Sequence, residues 1–422
     1  MSKILLKGGR VMDPESKRDE VTDILVVDQD IAKIGSIEPD SETNVVDASG
    51  LVVMPGIVDL HVHLRDFGQA DKETIESGTK AARKGGVTTV FTMANTKPTL
   101  STVENIQKYR ELLKNARIHV EVIGAITKDL AGKELADIDA YPALGIRFIS
   151  DDGFDVNDEA LLEEAYKKAK EHDLILVTHP EMNDIGVGGV LNEGEVSRQL
   201  GVPGQPNAKE YKAVERGIRL ALKTGARAHM THIGTKESVE LVRQAKKESD
   251  LITCDATPHH FSLTEQEALR VGTLAKVNPP LRREEDRQAL IAAIKDGTVD
   301  FIVTDHAPHT EKDKGDDFMT AAFGISQIET SLAASITELH FKQGIPLMRV
   351  IELMTLAPSK FANLRAGRLK EGYPADITLV DLNTAKEVDR MTFVSKGKNT
   401  PFHGKTLKGW PVKTLVGGAL YE

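Results

Sequence analysis

The sequence contains almost no cysteine. Cys254 is the single cysteine among 422 residues, so no disulfide can form within the chain. A metal site built from several thiolates is excluded for the same reason. Any metal must therefore be held by histidine and carboxylate side chains.

Long apolar runs and basic stripes are also missing. The opening stretch MSKILLKGGRV is too short in apolar residues for a signal peptide, and no segment reaches the about 20 apolar residues that span a bilayer. We therefore expect a cytoplasmic protein that does not enter a membrane. The formal net charge of −10 and the lack of a basic stripe argue against a nucleic-acid partner. A small molecule remains as the expected partner, and it can be an anion because one local arginine can outweigh a distant field.

Both ends of the chain are rich in short β-type runs separated by turn residues. Residues 1–55 include ILL, ILVV and VVM, and residues 366–422 include DITLV and KTLV. Such runs are typical of strands. We predict that the two stretches form one small β-sandwich domain composed of both termini, because the intervening domain, residues 56–365, begins and ends near the same place.

The middle of the chain alternates short apolar runs with amphipathic stretches. Residues 157–172 repeat apolar side chains at helical spacing, and Ser101 with Glu104 and Thr264 with Glu267 have the spacing of capping boxes. Strands that alternate with helices pair in parallel, which predicts an α/β fold closed into a (β/α)8 TIM-like barrel, with an open doubly wound sheet as the alternative. The eight candidate strands are 57–63, 87–93, 118–125, 145–149, 174–179, 226–232, 252–257 and 300–304.

The strongest functional signal is the HVH sequence at His61 and His63, where the first predicted strand ends. Side chains two residues apart on a strand share a face, and catalytic groups of barrels collect at the carboxyl ends of the strands. Burying imidazole and carboxylate groups there is costly unless they are paired or bind a metal, and a set without thiolates suits zinc or a similar divalent ion. The same ends of later strands carry His179, His232, Asp305 and the adjacent pair Asp151 and Asp152.

Other polar residues near these strand ends are assigned to different roles. His229 and His306 have the opposite strand parity to the predicted ligands, so we expect them to face the helices. His259 and His260 follow the seventh predicted strand, and we interpret them as structural or as hydrogen-bonding partners of the ligands. Asp59 lies one step deeper than His61 on the same predicted face and is interpreted in the same way.

A site for two metal ions usually includes a bridging carboxylate. No lysine occurs in residues 143–153, so a carboxylated lysine cannot bridge from the fourth predicted strand, whereas Asp151 or Asp152 can. Two such ions activate water and polarise a carbonyl group. Asp305 is the natural general base for the proton of that water.

Several polar residues near the strand ends are candidates for substrate binding. Arg65 follows His63 by two residues and is suited to bidentate capture of a carboxylate, although a surface arginine at the start of a loop has the same spacing. Gly315 and the charged run 311–317 predict either a mobile lid or a solvated connector. Further candidates are Asn95, Asn278 before two prolines, His309, and Phe323 with Gly324, whose backbone can approach a planar ring.

Four segments together resemble a known family. Residues 55–65 read PGIVDLHVHLR, 95–99 NTKPT, 277–282 VNPPLR and 304–309 TDHAPH. They closely resemble the dihydroorotases of the longer bacterial type, in the amidohydrolase superfamily, and the resemblance runs over essentially the whole chain. It implies reversible closure of N-carbamoyl-L-aspartate to L-dihydroorotate and water, the third step of pyrimidine synthesis, on a barrel that carries a composite β domain.

The resemblance also implies roles for individual residues. Asp305 is implied to be the general base, and Asp152 matches the metal-binding aspartate better than Asp151 by its spacing to His179. A homodimer is a further expectation. Two zinc ions are implied to bind His61, His63, Asp152, His179, His232 and Asp305. The substrate carboxylate is implied to bind Arg65 and Asn95, and the rest of the substrate to contact His63, Asn278, His309, Phe323 and Gly324.

Two other functions compete with this interpretation. Dihydropyrimidinases, hydantoinases and allantoinases share the metal ligands, but an arginine reserved for a carboxylate two residues after the HVH pair is not expected in them. A non-catalytic partner that organises another enzyme of pyrimidine synthesis is the second alternative, and such proteins lose metal ligands. The chain keeps all of them, and it departs from many members of the superfamily only in lacking the bridging lysine.

Overall fold

Short apolar runs form the strands of the computed structural model, which describes residues 2–421. Each of the eight runs predicted for the middle of the chain contains a strand, and each strand is shorter than predicted. In chain order the strands are β1 Lys3–Asp13, β2 Arg18–Val27, β3 Asp30–Gly35, β4 Asn44–Asp47, β5 Val52–Pro55, β6 Ile57–Val62, β7 Val87–Thr92, β8 His119–Val122, β9 Phe148–Ile149, β10 Ile175–Thr178, β11 Leu191–Asn192, β12 Gly204–Gln205, β13 Arg227–Met230, β14 Ile252–Ala256, β15 Phe301–Ile302, β16 Ile377–Asp381, β17 Lys386–Glu387, β18 Thr406–Leu407, β19 Trp410–Val416 and β20 Ala419–Tyr421.

The middle strands close into a parallel barrel. β6, β7 and β8 pair in parallel in one sheet, and β9, β10, β13, β14 and β15 pair in parallel in a second sheet. Parallel bridges between Gly124 and Ile149 and between Val62 and His306 join the two sheets at both edges. The predicted (β/α)8 barrel is confirmed, and the open doubly wound sheet is wrong.

Helices follow most of the barrel strands and cover the outside of the barrel. Among residues 2–421, no helix is both long enough and apolar enough to cross a bilayer. The α-helices are α1 Ile75–Lys84, α2 Val103–Leu112, α3 Glu159–Glu171, α4 Glu195–Leu200, α5 Ala208–Thr224, α6 Lys236–Glu248, α7 Pro258–Ser262, α8 Glu267–Val271, α9 Glu284–Asp296, α10 Glu311–Lys314, α11 Ser331–Ser335, which a π-helix at Ile336–Lys342 continues, α12 Leu347–Met354 and α13 Leu356–Phe361.

The helix starts agree only in part with the sequence predictions. The periodic stretch 157–172 contains α3, whose predicted apolar side chains are buried apart from the half-buried Leu161. The two predicted capping boxes are wrong. α2 is capped by Thr102, whose Oγ1 accepts a hydrogen bond from the backbone of the third helical residue, one position after the predicted Ser101. α8 begins without a side-chain cap, and Thr264 accepts only through its backbone oxygen. Capping depends on backbone angles that residue spacing does not specify.

Strands from both ends of the chain share one sheet. Its order is β20-β19-β16-β5-β1-β2-β3, and β4 pairs with the first half of β1, so that the sheet branches there. Apolar side chains from both ends form one buried cluster, which includes Leu6, Ile24, Val53, Ile377 and Leu415. The small β domain is therefore tied together by contacts between the first and the last strands.

Part of the C-terminal region packs on the barrel instead of this sheet. In residues 383–409, which contain β17 and β18, the side chains of Val388, Phe402 and Leu407 are buried against barrel residues such as Leu263. The domain division predicted from the sequence, with residues 366–422 in the β domain and 56–365 in the barrel, stays a prediction. Residues 383–409 lie beside the mouth of the barrel, where Asn399 hydrogen-bonds to the backbone of His309.

The interior of the barrel has an apolar lower layer. Leu60, Phe91, Phe148 and Phe301 meet there, and Phe361 of α13 closes the bottom. Packed side chains exclude water from the space beneath the polar groups at the mouth.

His229 belongs to this lower layer, so the prediction that it faces the helices is wrong. Its ring stacks on Phe301 with centroids 4.8 Å apart, and its Nε2 lies 2.8 Å from Asp255 Oδ2. Strand β13 ends at Met230, and His232 has a φ of 39°, so strand parity cannot be counted back from His232.

Candidate active site

Two histidines and an aspartate meet where the first and last barrel strands come together. His61 and His63 lie at the end of β6, and Asp305 follows β15. Asp305 Oδ1 lies 3.4 Å from His61 Nε2 and 3.1 Å from His63 Nε2. All three side chains are buried, and their ligand atoms lie within 4.8 Å of one another. They form one half of a candidate metal centre.

Asp152 connects this group to a second pair of histidines. His179 Nδ1 and His232 Nε2 are 3.2 Å apart, and Asp152 Oδ1 lies 3.4 Å and 3.6 Å from them. The same oxygen lies 3.3 Å from His61 Nε2, and Asp152 Oδ2 lies 3.5 Å from His63 Nε2. Asp152 thus contacts four imidazoles through its two oxygens and joins the two groups of histidines.

Asp151 has a different task. Its Oδ1 accepts hydrogen bonds from the backbone amides of Ile126 and Thr127 at 2.7 Å and 3.0 Å, and its Oδ2 accepts from the Thr127 hydroxyl. Burial raises the pKa of Asp151 to about 6, although these hydrogen bonds act in the opposite direction. Asp151 anchors the loop after β8, while Asp152 faces the histidines.

Positive backbone angles occur where the chain leaves the strands at the site. His232 has a φ of 39°, Asp305 of 48° and Arg65 of 64°, in the region that L-residues other than glycine rarely adopt. Such conformations cost about 1–3 kcal/mol each and persist where the surrounding structure enforces them, often at functional sites. The backbone turn rather than strand alternation therefore aims these side chains into the barrel mouth.

The histidines of the cluster stabilise the ionised form of its two carboxylates. Burial opposes ionisation of Asp152 and Asp305, but the neighbouring imidazoles, led by His61 and His63 respectively, lower the pKa of both. Burial likewise opposes protonation of His61, but Asp152 and Asp305 raise its pKa to about 9. The carboxylates are therefore ionised at neutral pH, as metal ligands must be.

The donor set fits divalent metal ions. Within residues 2–421, neither His61 Nε2 nor Asp152 Oδ1 has a hydrogen-bond partner, although both atoms are fully buried and lie 3.3 Å apart. Buried polar atoms without partners are costly, and each one needs an explanation. Converging imidazole nitrogens and carboxylate oxygens are the ligands that zinc and related ions take, and His61 Nε2 and Asp152 Oδ1 are two such atoms that the described part of the chain leaves without a partner of its own.

The second nitrogens of three ligand imidazoles are held by other side chains. His61 Nδ1 lies 3.0 Å from Thr231 Oγ1, and the Thr231 hydroxyl lies 3.0 Å from Asp255 Oδ2. His179 Nε2 lies 3.0 Å from Glu181 Oε2. Such partners orient a metal-binding imidazole. The sequence analysis missed Thr231, Asp255 and Glu181, of which only Glu181 carried a signal, because it follows His179 by two residues.

Asn95 holds the third imidazole and also contacts Asp152. Its Oδ1 lies 2.9 Å from His63 Nδ1, and its Nδ2 donates to Asp152 O at 3.2 Å and to Asp152 Oδ2 at 3.3 Å. Asn95 therefore orients two predicted ligands, a role that the sequence did not indicate.

Asn278 lies beside His179, a candidate metal ligand, at the edge of the site. Its Nδ2 donates to Glu181 Oε2 at 2.7 Å and lies 3.2 Å from His179 Nε2. The buried His260 contacts the following residue, with its Nε2 2.9 Å from Pro279 O. His259 is buried with its Nδ1 against Gln327, so both histidines are structural.

His306 and Asp59 support the strands from outside the ligand cluster. His306 is fully buried, and its Nδ1 accepts a hydrogen bond from Gln327 N at 3.2 Å while its Nε2 lies 3.5 Å from Glu73 Oε2. Asp59 accepts hydrogen bonds from the backbone amides of His61 and Thr304, which join the first and last barrel strands.

A cavity of about 230 Å³ opens above the ligand cluster. A Cβ on Gly324, where φ is 137°, would lie 2.8 Å from Ala307 Cβ, so only glycine allows this close approach of the backbone. The predicted substrate residues all line the cavity, namely His63, Arg65, Asn95, Asn278, His309, Phe323 and Gly324.

Arg65 and His309 lie side by side on one wall of the cavity. Arg65 Nε donates to Pro308 O at 3.2 Å, and its Nη2 lies 3.2 Å from His309 Nε2. Burial lowers the pKa of Arg65 to about 10, which leaves the guanidinium charged at neutral pH. On the far side of the imidazole, Lys72 Nζ lies 3.3 Å from His309 Nδ1, a contact that the sequence analysis missed.

The charged run 311–317 is anchored in this structure. Residues Glu311–Lys314 form α10, which Thr310 and Asp313 cap reciprocally. The buried Lys314 ammonium donates to the carbonyl oxygens of Lys276, Ala322 and Gly324 at 2.8–3.2 Å. A mobile lid here stays a prediction.

Comparisons with known proteins agree with this geometry. A sequence profile described as Amidohydrolase family matches residues 52–420. The chain is 43% identical over 419 residues to a protein named Dihydroorotase from Elusimicrobium minutum (strain Pei191), covering 99% of this chain and 97% of that one. It is 44% identical over 418 residues to another of that name from Clostridioides difficile (strain 630), covering 99% of both chains. A solved L-hydantoinase (dihydropyrimidinase) from Arthrobacter aurescens superposes with a TM-score of 0.88 at 27% identity, covering 100% of this chain and 96% of that chain.

Proposed function

We propose that this chain, which belongs to the amidohydrolase family and within it to the dihydroorotases, closes N-carbamoyl-L-aspartate to L-dihydroorotate and water and catalyses the reverse hydrolysis. This reaction is a step of de novo pyrimidine synthesis. The observation that carries the proposal is the Arg65 guanidinium, which lies 3.2 Å from His309 on the wall of a cavity whose floor is the ligand cluster. Substrate and product both bear a carboxylate, and an arginine is suited to bind it.

The cluster supports binding of two divalent ions, which we propose to be zinc. The residues that would hold them are His61, His63, Asp152, His179, His232 and Asp305. Bound there, the ions would supply a water of lowered pKa and polarise the reacting carbonyl group. Asp152, whose two oxygens contact both pairs of imidazoles, would be shared between them.

The chain's own groups bind the substrate and move a proton. Arg65 and Asn95 hold the carboxylate, while Asn278, His309 and the backbone at Phe323 and Gly324 contact the rest of the substrate. In the hydrolytic direction Asp305 accepts a proton from the attacking water and delivers it to the ring nitrogen as the amide C–N bond breaks. In the cyclising direction the same carboxylate takes the proton from the attacking nitrogen and returns it to the leaving water. The packed layer below the site excludes other water.

Hydantoin hydrolysis is the second candidate, because a hydantoinase shares this fold. The two functions differ in whether the ring bears a carboxylate. A partner of another enzyme without its own catalysis is disfavoured by the complete set of ligand side chains. The proposed setting is cytoplasmic with a small-molecule partner, and a homodimer remains an expectation.

The test combines metal analysis with turnover of N-carbamoyl-L-aspartate and of hydantoin. We expect metal in the purified protein and turnover of the first compound only. Arg65→Ala raises the KM by about 100-fold, the effect of losing a charge-assisted hydrogen bond of about 3 kcal/mol. Arg65→Lys, which keeps the charge without the planar fork, has a smaller effect. Equal kinetics of Arg65→Ala and the unaltered protein would show that the substrate assignment is wrong even if hydrolysis persisted.

A further inference from the structure

The His309 ring lies between two cationic side chains that can only donate hydrogen bonds. Arg65 Nη2 is 3.2 Å from His309 Nε2, and Lys72 Nζ is 3.3 Å from His309 Nδ1. Burial, followed by the charges of Arg65 and Lys72, lowers the pKa of His309 to about 2, so the ring is neutral. A neutral imidazole has one acceptor nitrogen and one donor nitrogen. Only one of the two contacts can therefore be a hydrogen bond, and in the other an N–H group faces an N–H group.

The surroundings indicate which contact is the hydrogen bond. Arg65 donates to Pro308 O through Nε and opens onto the cavity, where a ligand can accept from its Nη2. Lys72 lies behind the ring, and its other partner is the Asp313 carboxylate at 3.5 Å. The Asp313 carboxylate also faces the ring, but it lies 3.9 Å from His309 Nδ1, farther than the ammonium at 3.3 Å. Acceptance by Nδ1 from the nearer ammonium leaves the ring proton on Nε2.

The Nε2 edge of the ring lies beside the backbone that lines the cavity. A Cβ on Gly324 would lie 3.1 Å from His309 Cδ2, the carbon next to Nε2, so this edge faces the backbone at residues 323–324.

Lys72 and His309 are held by separate parts of the chain. Lys72 ends a turn that begins at Arg65, with Gln69 N donating to Arg65 O at 3.3 Å and Lys72 N donating to Gln69 O at 2.9 Å. His309 N donates to Asn399 Oδ1 at 2.9 Å. One turn therefore supplies the cations on both sides of the ring, while another segment fixes the ring itself.

We propose that Lys72 is a positioning residue that keeps the proton of His309 on Nε2, so that His309 and Arg65 both direct N–H groups toward the carboxylate of the substrate. The proposal rests on the proposed function. Two donors that converge without an acceptor repel each other, and an anionic oxygen between them removes the repulsion. The arrangement therefore favours a ring that bears a carboxylate over a neutral ring such as hydantoin.

The direct test reads the tautomer of His309 by NMR in the metal-loaded protein with ¹⁵N-labelled histidine and no substrate. His309→Gln assigns the signal. We expect Nε2–H in the unaltered protein and in Lys72→Arg, and a shift of population toward Nδ1–H in Lys72→Met. Lys312→Met is the matched control, because Lys312 is exposed on α10 one residue from Asp313, and it leaves the tautomer unchanged.

Kinetics of the same variants give a second readout. Lys72→Met raises the KM for L-dihydroorotate by about tenfold and changes kcat by less than about twofold, because one hydrogen bond to the substrate is lost while the chemistry is intact. Lys72→Arg restores the KM to within about threefold, since it still donates to Nδ1. A purely structural role would change kcat and KM together and would not be rescued by arginine.

Two results would overturn the inference. One is an Nδ1–H tautomer in the unaltered protein, which decides the question even if Lys72→Met does not fold. The other is an unchanged tautomer in Lys72→Met. Because the NMR measurement uses no substrate, its outcome is independent of turnover, and failure of the proposed function would appear only in the assay of the unaltered protein.

Discussion

The two layers of the barrel interior are built by the same strands but differ in how their buried histidines are hydrogen-bonded. In the lower layer, Leu60, Phe91 and Phe301 fill the barrel with apolar side chains, and His229 has partners on both ring nitrogens. In the upper layer, His61 keeps a buried nitrogen without a hydrogen-bond partner among residues 2–421. Both nitrogens of His229 are therefore already hydrogen-bonded, whereas His61 Nε2, which lies 3.3 Å from Asp152 Oδ1, is free to bind a metal ion.

The largest expected effect tests the chemistry of the upper layer. Asp305→Asn removes the proposed proton acceptor and lowers kcat by about 10²–10⁴-fold, the usual contribution of a general base. Turnover and metal content are measured together. Asp151→Asn is the matched control, because Asp151 anchors the backbone at residues 126–127 and faces away from the ligands. Retention of more than about a tenth of kcat in Asp305→Asn would assign proton transfer to another group.

A smaller effect is expected at the junction of the layers. Thr231→Val removes the hydroxyl between His61 and Asp255 and weakens metal binding by about 10–100-fold, because the orientation of the ligand ring is lost. Competition with a chelator measures this change. Thr253→Val removes the corresponding hydroxyl beside His229 and leaves metal affinity unchanged. Equal metal affinity in both variants would contradict the separation of the layers.

The smallest expected effect concerns the lower layer alone. His229→Leu removes the 2.8 Å contact with Asp255, which keeps Thr231 as a donor, and lowers the free energy of unfolding by about 1.5–3 kcal/mol, the contribution of a hydrogen bond to a charged group. Denaturant titration measures the loss, and the metal stoichiometry stays at the value of the unaltered protein. A loss of metal without a loss of stability would instead place His229 among the ligands.

The sequence was most informative where a short apolar run is followed by an imidazole or carboxylate. Such runs marked all of the barrel strands and placed His61, His179, His232 and Asp305 at strand ends, because period and composition are local properties. The alternation of side chains along the strand gave the wrong orientation for His229. The strand ends two residues before His232, and the backbone then turns to a positive φ. The local sequence pattern does not predict the last residue of a strand to within one or two positions.

Contacts between distant segments could not be predicted from the pattern. Lys72 and His309 are 237 positions apart, and His61 and Thr231 are 170 positions apart. Nothing in the sequence distinguishes Lys72 from the other lysines or Thr231 from the other threonines. The predicted helix caps were wrong for a related reason, since the spacing of residues does not show that α2 begins after Thr102, whose extended backbone and side chain form the cap.

Asn399 has a consequence for how the protein can be re-engineered. This single amide accepts from His309 N and donates to the carbonyl oxygens of Ala307 and Gly324, so it crosslinks the two strips of backbone that flank the cavity. Asn399 lies in the C-terminal segment between β16 and β19. Replacing this segment by that of a relative would therefore also change part of the ligand preference. The segment must be exchanged together with the loops at Ala307–His309 and Gly324, to which Asn399 hydrogen-bonds.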